Sequence, residues 1–304
     1  MTSAVHCLLC PRRCGAVRTA ETGFGGRCGM GTDAVVARAA LHFWEEPCIS
    51  GTHGSGAVFF TGCPLGCVFC QNYEISKERK VGRRVTPHEL SDIFCRLEEQ
   101  GAHNINLVTP THFAPAILEA LSIRKPSVPV IWNCSGYESP EMIARLEGFV
   151  DIFLPDLKYA EPSLAAELSD APDYPEKAET AVLAMARQTG PAVYNGDGIL
   201  QSGTMVRHLI LPGHTRNSIS VLNWFAANLP KGVPVSIMAQ YVPCGRAEEH
   251  PPLGRRITER EYNKVLSHLF RLGLDGYVQE RESAAKKYIP PFDLSGVSVG
   301  KPME

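Results

Sequence analysis

Six short apolar runs separated by helical stretches constrain this chain more than any other feature of its sequence. They are GAVFFTG (56–62), INLVTP (105–110), VPVIWNC (128–134), VDIFLPDLK (150–158), MVRHLILPG (205–213) and VPVSIMAQYV (233–242), with GYVQE (276–280) a shorter seventh. Strands that are apolar almost throughout are buried on both faces, which means parallel sheet covered by helices. Helix signals lie between them. Thr86-Pro87-His88-Glu89 reads as a capping box with Pro at the first helical position, ahead of Leu90, Ile93, Phe94 and Leu97 on one face. Ser139-Pro140-Glu141 opens a second helix and Thr258 to Glu261 a third, while 160–190 is helical but divided by Pro162, Pro172 and Pro175. Repeated strand–helix units of this number predict an α/β fold, an incomplete (β/α) barrel. Chemistry in that architecture belongs at the carboxyl ends of the strands.

A chain of 304 residues, 44% of them apolar, can bury such a core. The expected organisation is a Cys-rich cap (1–50, densest in Cys and Gly over 1–34), a barrel (51–285) and a Pro/Gly-rich tail (286–304) running over the surface. Net charge is −2, and basic residues occur at most in pairs, such as Arg12-Arg13 and Lys286-Lys287. That balance points away from nucleic acid and anionic lipid as partners. The start, MTSAVHCLLCPRR, lacks the pattern of a signal peptide, and no apolar stretch is long enough to span a bilayer, so a cytoplasmic location is expected.

Eleven cysteines are an odd number, and seven fall in two groups, Cys7/Cys10/Cys14/Cys28 and Cys63/Cys67/Cys70. Clustered thiols in a reducing compartment point to metal rather than to disulfides. Cys48, Cys95, Cys134 and Cys244 are scattered and read as small buried hydrophobes. The second group lies in TGCPLGCVFCQN (61–72), directly after the first apolar run, with the spacing Cys-x3-Cys-x2-Cys. Soft thiolates select zinc or iron–sulfur clusters. A closed zinc site needs a fourth ligand from elsewhere. Three thiolates on a [4Fe-4S] cluster leave one iron open to a substrate or cofactor.

Cys63-x3-Cys67-x-Phe69-Cys70 resembles the signature of the radical S-adenosylmethionine (SAM) superfamily. The resemblance implies a partial (β/α)6 TIM-like barrel with a Cys-rich N-terminal cap. It also implies a [4Fe-4S] cluster whose open iron chelates SAM, and reductive cleavage of SAM to a 5′-deoxyadenosyl radical. Phe69 takes the position beside the adenine. Several runs, ALHFWEEPCISG (40–51), NLVTPTHF (106–113), LPDLKY (154–159), RHLILPG (207–213) and MAQYVP (238–243), resemble the glycyl-radical-enzyme activases. The group they most resemble is called PflX-like and is related to pyruvate formate-lyase-activating enzyme. By that resemblance Asp156 helps hold a monovalent cation beside the SAM carboxylate, and Arg207 contacts SAM. A turn-capping carboxylate and a surface salt bridge are the plain structural alternatives for these two residues. The partners implied are an electron donor such as flavodoxin or ferredoxin and a glycyl-radical enzyme. The alternatives are a small metabolite or peptide substrate, or a non-catalytic iron–sulfur or zinc module.

The chain departs from the activases at two places. Their Gly-Gly-Glu run is replaced by Thr109-Pro110-Thr111-His112, and an Asp-Thr pair by Asn133-Cys134. The ammonium of SAM is therefore assigned to acceptors on Thr109 and Thr111, with Asn133 nearby, and its carboxylate to Arg207. Among the histidines, none of which has metalloprotease spacing, His112 is expected to line the cavity. Cys7, Cys10, Cys14 and Cys28 suit a structural zinc, an auxiliary iron–sulfur cluster, or no metal at all.

Overall fold

The computed structural model describes residues 5–280, 284–285 and 288–297. Its core is a run of parallel strands in chain order: Ser55–Phe60, Ile105–Val108, Val130–Cys134 and Ile152–Pro155 pair successively. Leu200–Thr204 joins the last of these in parallel, and the chain continues almost straight into Val206–Leu209. An Asp156–Arg207 bridge, with the Leu157 amide donating to the Arg207 carbonyl at 2.8 Å, carries the pairing onward. Val235–Met238 and the three-residue Gly276–Val278 complete the arc. With Leu200–Thr204 and Val206–Leu209 taken as one interrupted strand, six parallel strands and a short seventh form the open barrel; only Leu200–Thr204 lies outside the apolar runs.

Every residue of Ser55–Phe60, Ile105–Val108, Val130–Cys134, Ile152–Pro155 and Val235–Met238 is buried, as strands covered on both faces must be. The covering helices begin where local chemistry allows. Thr86 closes a capping box on Pro87–Glu99 and Thr258 another on Glu259–Leu272. The prolines of 160–190 divide it into two helices. Pro162 sits in the first turn of Pro162–Ser169 and Pro175 in that of Tyr174–Thr189, where a missing amide proton costs nothing. Between them Asp170 takes a left-handed conformation (φ 49°) that ends the first helix.

Two features differ from expectation. Ala34–His42, whose small alanines give no strand signal, is a nine-residue strand antiparallel to Ser55–Phe60. Its end, His42 opposite Ser55, delivers residues 45–50 to the amino-terminal side of the barrel. There Cys48 and Ile49 join Ile131, Ile152, Leu154, Leu200 and Met205 in a plug of buried side chains. Burying each of the larger ones stabilises the plug by about 1.5–3 kcal/mol. The described part of the tail lies at the surface, with Pro291, Asp293 and Gly296 exposed, but it is tied to Ala34–His42 in a way its composition does not predict. Leu294 donates to the Ala37 carbonyl (3.0 Å), Ala39 donates to that of Ser295 (2.8 Å), and Val297 is buried.

Candidate active site

The loops after the parallel strands meet around one cavity of about 210 Å³. Cys63, Cys67, Phe69 and Cys70 line it from the loop after Ser55–Phe60. Thr109 lines it after the second strand, Asn133, Cys134 and Ser135 at the end of the third, and Asp156 and Lys158 after the fourth. Arg207 and Leu209, then Met238 and Gln240, line it from the next two. Convergence of strand ends on one cavity is what a barrel provides for catalysis.

The three thiols have fixed surroundings. Cys63 Sγ accepts the amides of Leu65 and Gly66, both at 3.4 Å. Cys67 Sγ accepts the Ser169 hydroxyl at 3.0 Å, and Cys70 Sγ accepts that of Ser76 at 3.4 Å. Burial and the neighbouring thiols push Cys63 up to about 11 and Cys70 up to about 12. As free thiols they hold their protons at neutral pH, so a metal must displace them on binding. Among the described residues no three Cys, His, Asp or Glu side chains converge on a single ion position. The donor set fits a soft polynuclear group: three thiols around one loop, with a cavity on their open side.

Beneath them lies a buried polar floor. Arg207 Nε donates to Asp156 Oδ1 (3.0 Å), Nη1 to Glu45 Oε2 (3.1 Å) and Nη2 to Asn133 Oδ1 (2.6 Å). Lys158 Nζ is paired with Asp156 Oδ2 at 2.5 Å. Burial works against the charge of Asp156, yet Lys158 and Arg207 outweigh it and its carboxyl is held below the ordinary value. Burial likewise opposes the Lys158 charge, but Asp156 and Cys67 shift it upward, so the ammonium persists beside the thiols. Arg207 is only 9% exposed, so the surface salt bridge is excluded: the ion pairs are interior ones. Glu45 reaches the floor from the segment after Ala34–His42, where Asn106 (3.2 Å) and Asn133 (3.3 Å) hold its other oxygen.

Phe69, Thr109, Asn133, Asp156 and Arg207 therefore share one cavity with the three cysteines, as the sequence reading requires of them. Two residues do not. Thr109 occupies a left-handed conformation (φ 59°) that turns the chain sharply after its strand. Thr111 and His112 consequently enter the short 3-10 turn Thr111–Phe113 and point into the protein. The Thr111 hydroxyl donates to Glu138, a buried carboxyl that desolvation pushes up to about 8. His112 packs at 2% exposure with Nε2 2.8 Å from the Thr61 carbonyl, and burial lowers it to about 3. The assignment of Thr111 and His112 to the cavity is corrected. Of the scattered cysteines, Cys48 and Cys95 are buried as expected, Cys244 is partly exposed, and Cys134, though buried, lines the cavity.

The charged cavity residues that the sequence reading missed are Lys158 and Glu45. Lys158 belongs to the same LPDLKY run as Asp156, and that adjacency was the available signal. Glu45 had none beyond two consecutive acids before Pro47. The cavity wall also holds Trp44, whose ring packs tilted by 57° against Tyr288 (centroids 4.6 Å apart), together with Ala285, Ile289 and Pro290.

A family model described as the radical SAM superfamily matches residues 57–223, more than half of the chain. An uncharacterized protein of Methanocaldococcus jannaschii is 28% identical over 278 residues, covering 89% of this chain and 76% of its own. Among solved structures, a radical SAM methyltransferase from Sphaerobacter thermophilus superposes with a TM-score of 0.51 at 17% identity. That match covers 74% of this chain and 66% of the methyltransferase. SuiB of Streptococcus suis, solved bound to its precursor peptide SuiA, gives 0.50 at 9% identity over 72% of this chain and 47% of its own. This chain thus spans about half of SuiB and under two thirds of the methyltransferase, and these likenesses establish the fold. Among the described residues no helix is long and apolar enough to cross a membrane.

Proposed function

This chain belongs to the radical SAM superfamily, and on that premise we propose that it cleaves SAM reductively and abstracts hydrogen from a substrate bound in the cavity. The observation that carries the reading is the convergence of Cys63, Cys67 and Cys70 with the charged floor of Asp156, Lys158 and Arg207 around one cavity. A [4Fe-4S] cluster with SAM on its open iron supplies, when bound, one electron to a carbon–sulfur bond.

The residues of this chain do the rest. Cys63, Cys67 and Cys70 supply three thiolates, and Lys158 sets a persistent positive charge beside them. Phe69, 6% exposed and packed against Tyr241 (centroids 6.1 Å apart), presents a fixed apolar surface to an adenine. Three guanidinium nitrogens of Arg207 are each engaged by the protein, so its fork is locked before any ligand arrives. Arg207 fixes Asp156, Glu45 and Asn133 in place and keeps its charge at the SAM carboxylate, and Lys158 offers a second charge there. The Glu45 carboxylate and the Thr109 turn offer the acceptors for an ammonium.

For the substrate, we read activation of a glycyl-radical enzyme from the activase-like runs, with a flavodoxin or ferredoxin as electron donor. A second reading, a small metabolite or peptide, is favoured by one observation: Ala285, Tyr288, Ile289 and Pro290 stand in the cavity wall and narrow it. The two separate in one experiment. Enzyme, SAM and reductant are given a deuterated cell extract divided by size, and 5′-deoxyadenosine is analysed by mass. Deuterium from the macromolecular fraction supports activation of a protein. Deuterium from the low-mass fraction alone rejects it in favour of the second reading.

A further inference from the structure

The N-terminal group of cysteines lies outside the matched span 57–223 and outside the cavity. We propose that Cys7, Cys10, Cys14 and Cys28 bind a soft metal as a closed four-thiolate centre. In this centre Arg18 balances the charge, and Arg12 ties it to the loop carrying Cys63 and Cys67.

Three independent observations carry this. The first is the absence of any other core. The region has three two-residue strands, Val5–His6, Val17–Arg18 and Gly23–Phe24. Of its buried apolar residues up to Met30, three are Cys7, Cys10 and Cys28, and the others are Ala16 and Met30. Segments this small need a staple in place of a core. The cysteine-bearing turns fold onto one another: the Gly15 amide, next to Cys14, donates to the Cys7 carbonyl (3.1 Å), and a Cβ on Gly26 would meet Cys14 Sγ at 3.9 Å. Gly15 and Gly29, each following a cysteine, are left-handed (φ 62° and 68°), which lets the chain turn tightly after both thiols.

The second observation is Arg18. Its guanidinium is buried at 4% exposure, and among the described residues it has no carboxylate partner. Nε donates to the Met30 carbonyl (3.1 Å), Nη2 to those of Gly31 and His112, and Nη1 faces Cys7 Sγ at 3.8 Å. A buried cation is costly without a counter-charge. Four thiolates around a divalent ion, or around an iron–sulfur cluster, leave a net negative charge at this place.

The third is mechanical. Arg12, between Cys10 and Cys14, donates Nε to the Pro64 carbonyl (3.1 Å) and Nη2 to that of Ser169 (2.9 Å). Pro64 lies between Cys63 and Cys67. A Cβ on Gly62 would meet the Met30 side chain at 2.4 Å and the Cys28 carbonyl at 3.1 Å, so the two loops are seated on each other. The thiols stand together without converging on one ion position, and drawing them inward is the ordering that metal binding supplies.

The test does not depend on the reading of the cavity. A Cys63→Ala/Cys67→Ala/Cys70→Ala variant is purified anaerobically and analysed for zinc, iron and acid-labile sulfide. It should retain roughly one zinc per chain, or iron with matching sulfide, and this distinguishes the two metals. Alkylation is then followed residue by residue in both this variant and the wild-type protein. Cys14 is exposed, yet it should resist iodoacetamide until a chelator strips the metal. A folded variant without metal overturns the proposal. So does a wild-type Cys14 that alkylates as fast as a free exposed thiol, and that result stands even where the variant fails to fold.

Discussion

The loop bearing Cys63, Cys67 and Cys70 and the loop bearing Cys7, Cys10, Cys14 and Cys28 use the same residue type and are held by opposite means. The first emerges from a six-residue strand buried throughout, and each sulfur already has a donor from the surrounding fold. The second rests on two-residue strands with almost nothing apolar beneath them except its own cysteines. A barrel can present three thiols and leave a coordination position open, because folding does not depend on the ligand. A cap without a core needs its metal closed on every side.

The largest expected effect separates the two loops outright. Cys63→Ala, Cys67→Ala and Cys70→Ala should each abolish SAM cleavage while leaving the barrel folded and any cap metal in place. Iron analysis and circular dichroism on the same samples check this, and full turnover in any one variant removes that residue from the ligand set. Next is the floor, which requires no metal to hold it. Arg207→Ala leaves Asp156 and Glu45 buried with too few partners, and breaking such a pair costs about 3–5 kcal/mol. Urea unfolding should show that loss. A stability change below about 1 kcal/mol would mean that the floor is solvated and the ion pairs are weak.

Cys10→Ser with Cys14→Ser should act chiefly on the other loop. Amide exchange across residues 7–31 should rise steeply, metal should leave, and SAM cleavage should persist at a reduced rate because Arg12 no longer steadies Pro64. Complete loss of cleavage in a folded double variant that keeps the Cys63 cluster would turn the cap centre into an electron relay. The smallest effect concerns Glu138 behind the Thr109 turn. Its carboxyl is neutral in the fold up to about pH 8 and ionises near 4.5 when unfolded. Between those values the folded chain holds the extra proton, so raising the pH favours unfolding across that window. Glu138→Gln should flatten this part of the pH–stability profile, and an unchanged slope would place the titration elsewhere.

What the sequence disclosed follows the same division. The strand runs, the capping boxes at Thr86 and Thr258 and the Cys-x3-Cys-x2-Cys loop are local patterns, and each appears where it was read. Positions that depend on which way a turn rotates were not legible. Thr109 and Thr111 are two residues apart, yet one left-handed residue sends the first into the cavity and the second against Glu138. Lys158 and Glu45 reach the floor through space, from a strand end and from beneath the barrel, and no spacing rule joins them. The tail takes the surface path that Pro and Gly suggest, but what it pairs with was not legible. Its Leu294 amide finds the Ala37 carbonyl of Ala34–His42, just past the residues paired with Arg83–Val85.

The central claim is that Cys63, Cys67 and Cys70 hold a cluster with one iron open to SAM. Anaerobically reconstituted protein, reduced with dithionite, is titrated with SAM while the EPR signal of the cluster and the yield of 5′-deoxyadenosine are followed together. The account predicts that the signal changes saturably with SAM and that 5′-deoxyadenosine forms. An EPR signal indifferent to SAM, with no 5′-deoxyadenosine from a fully loaded and reduced protein, would contradict it.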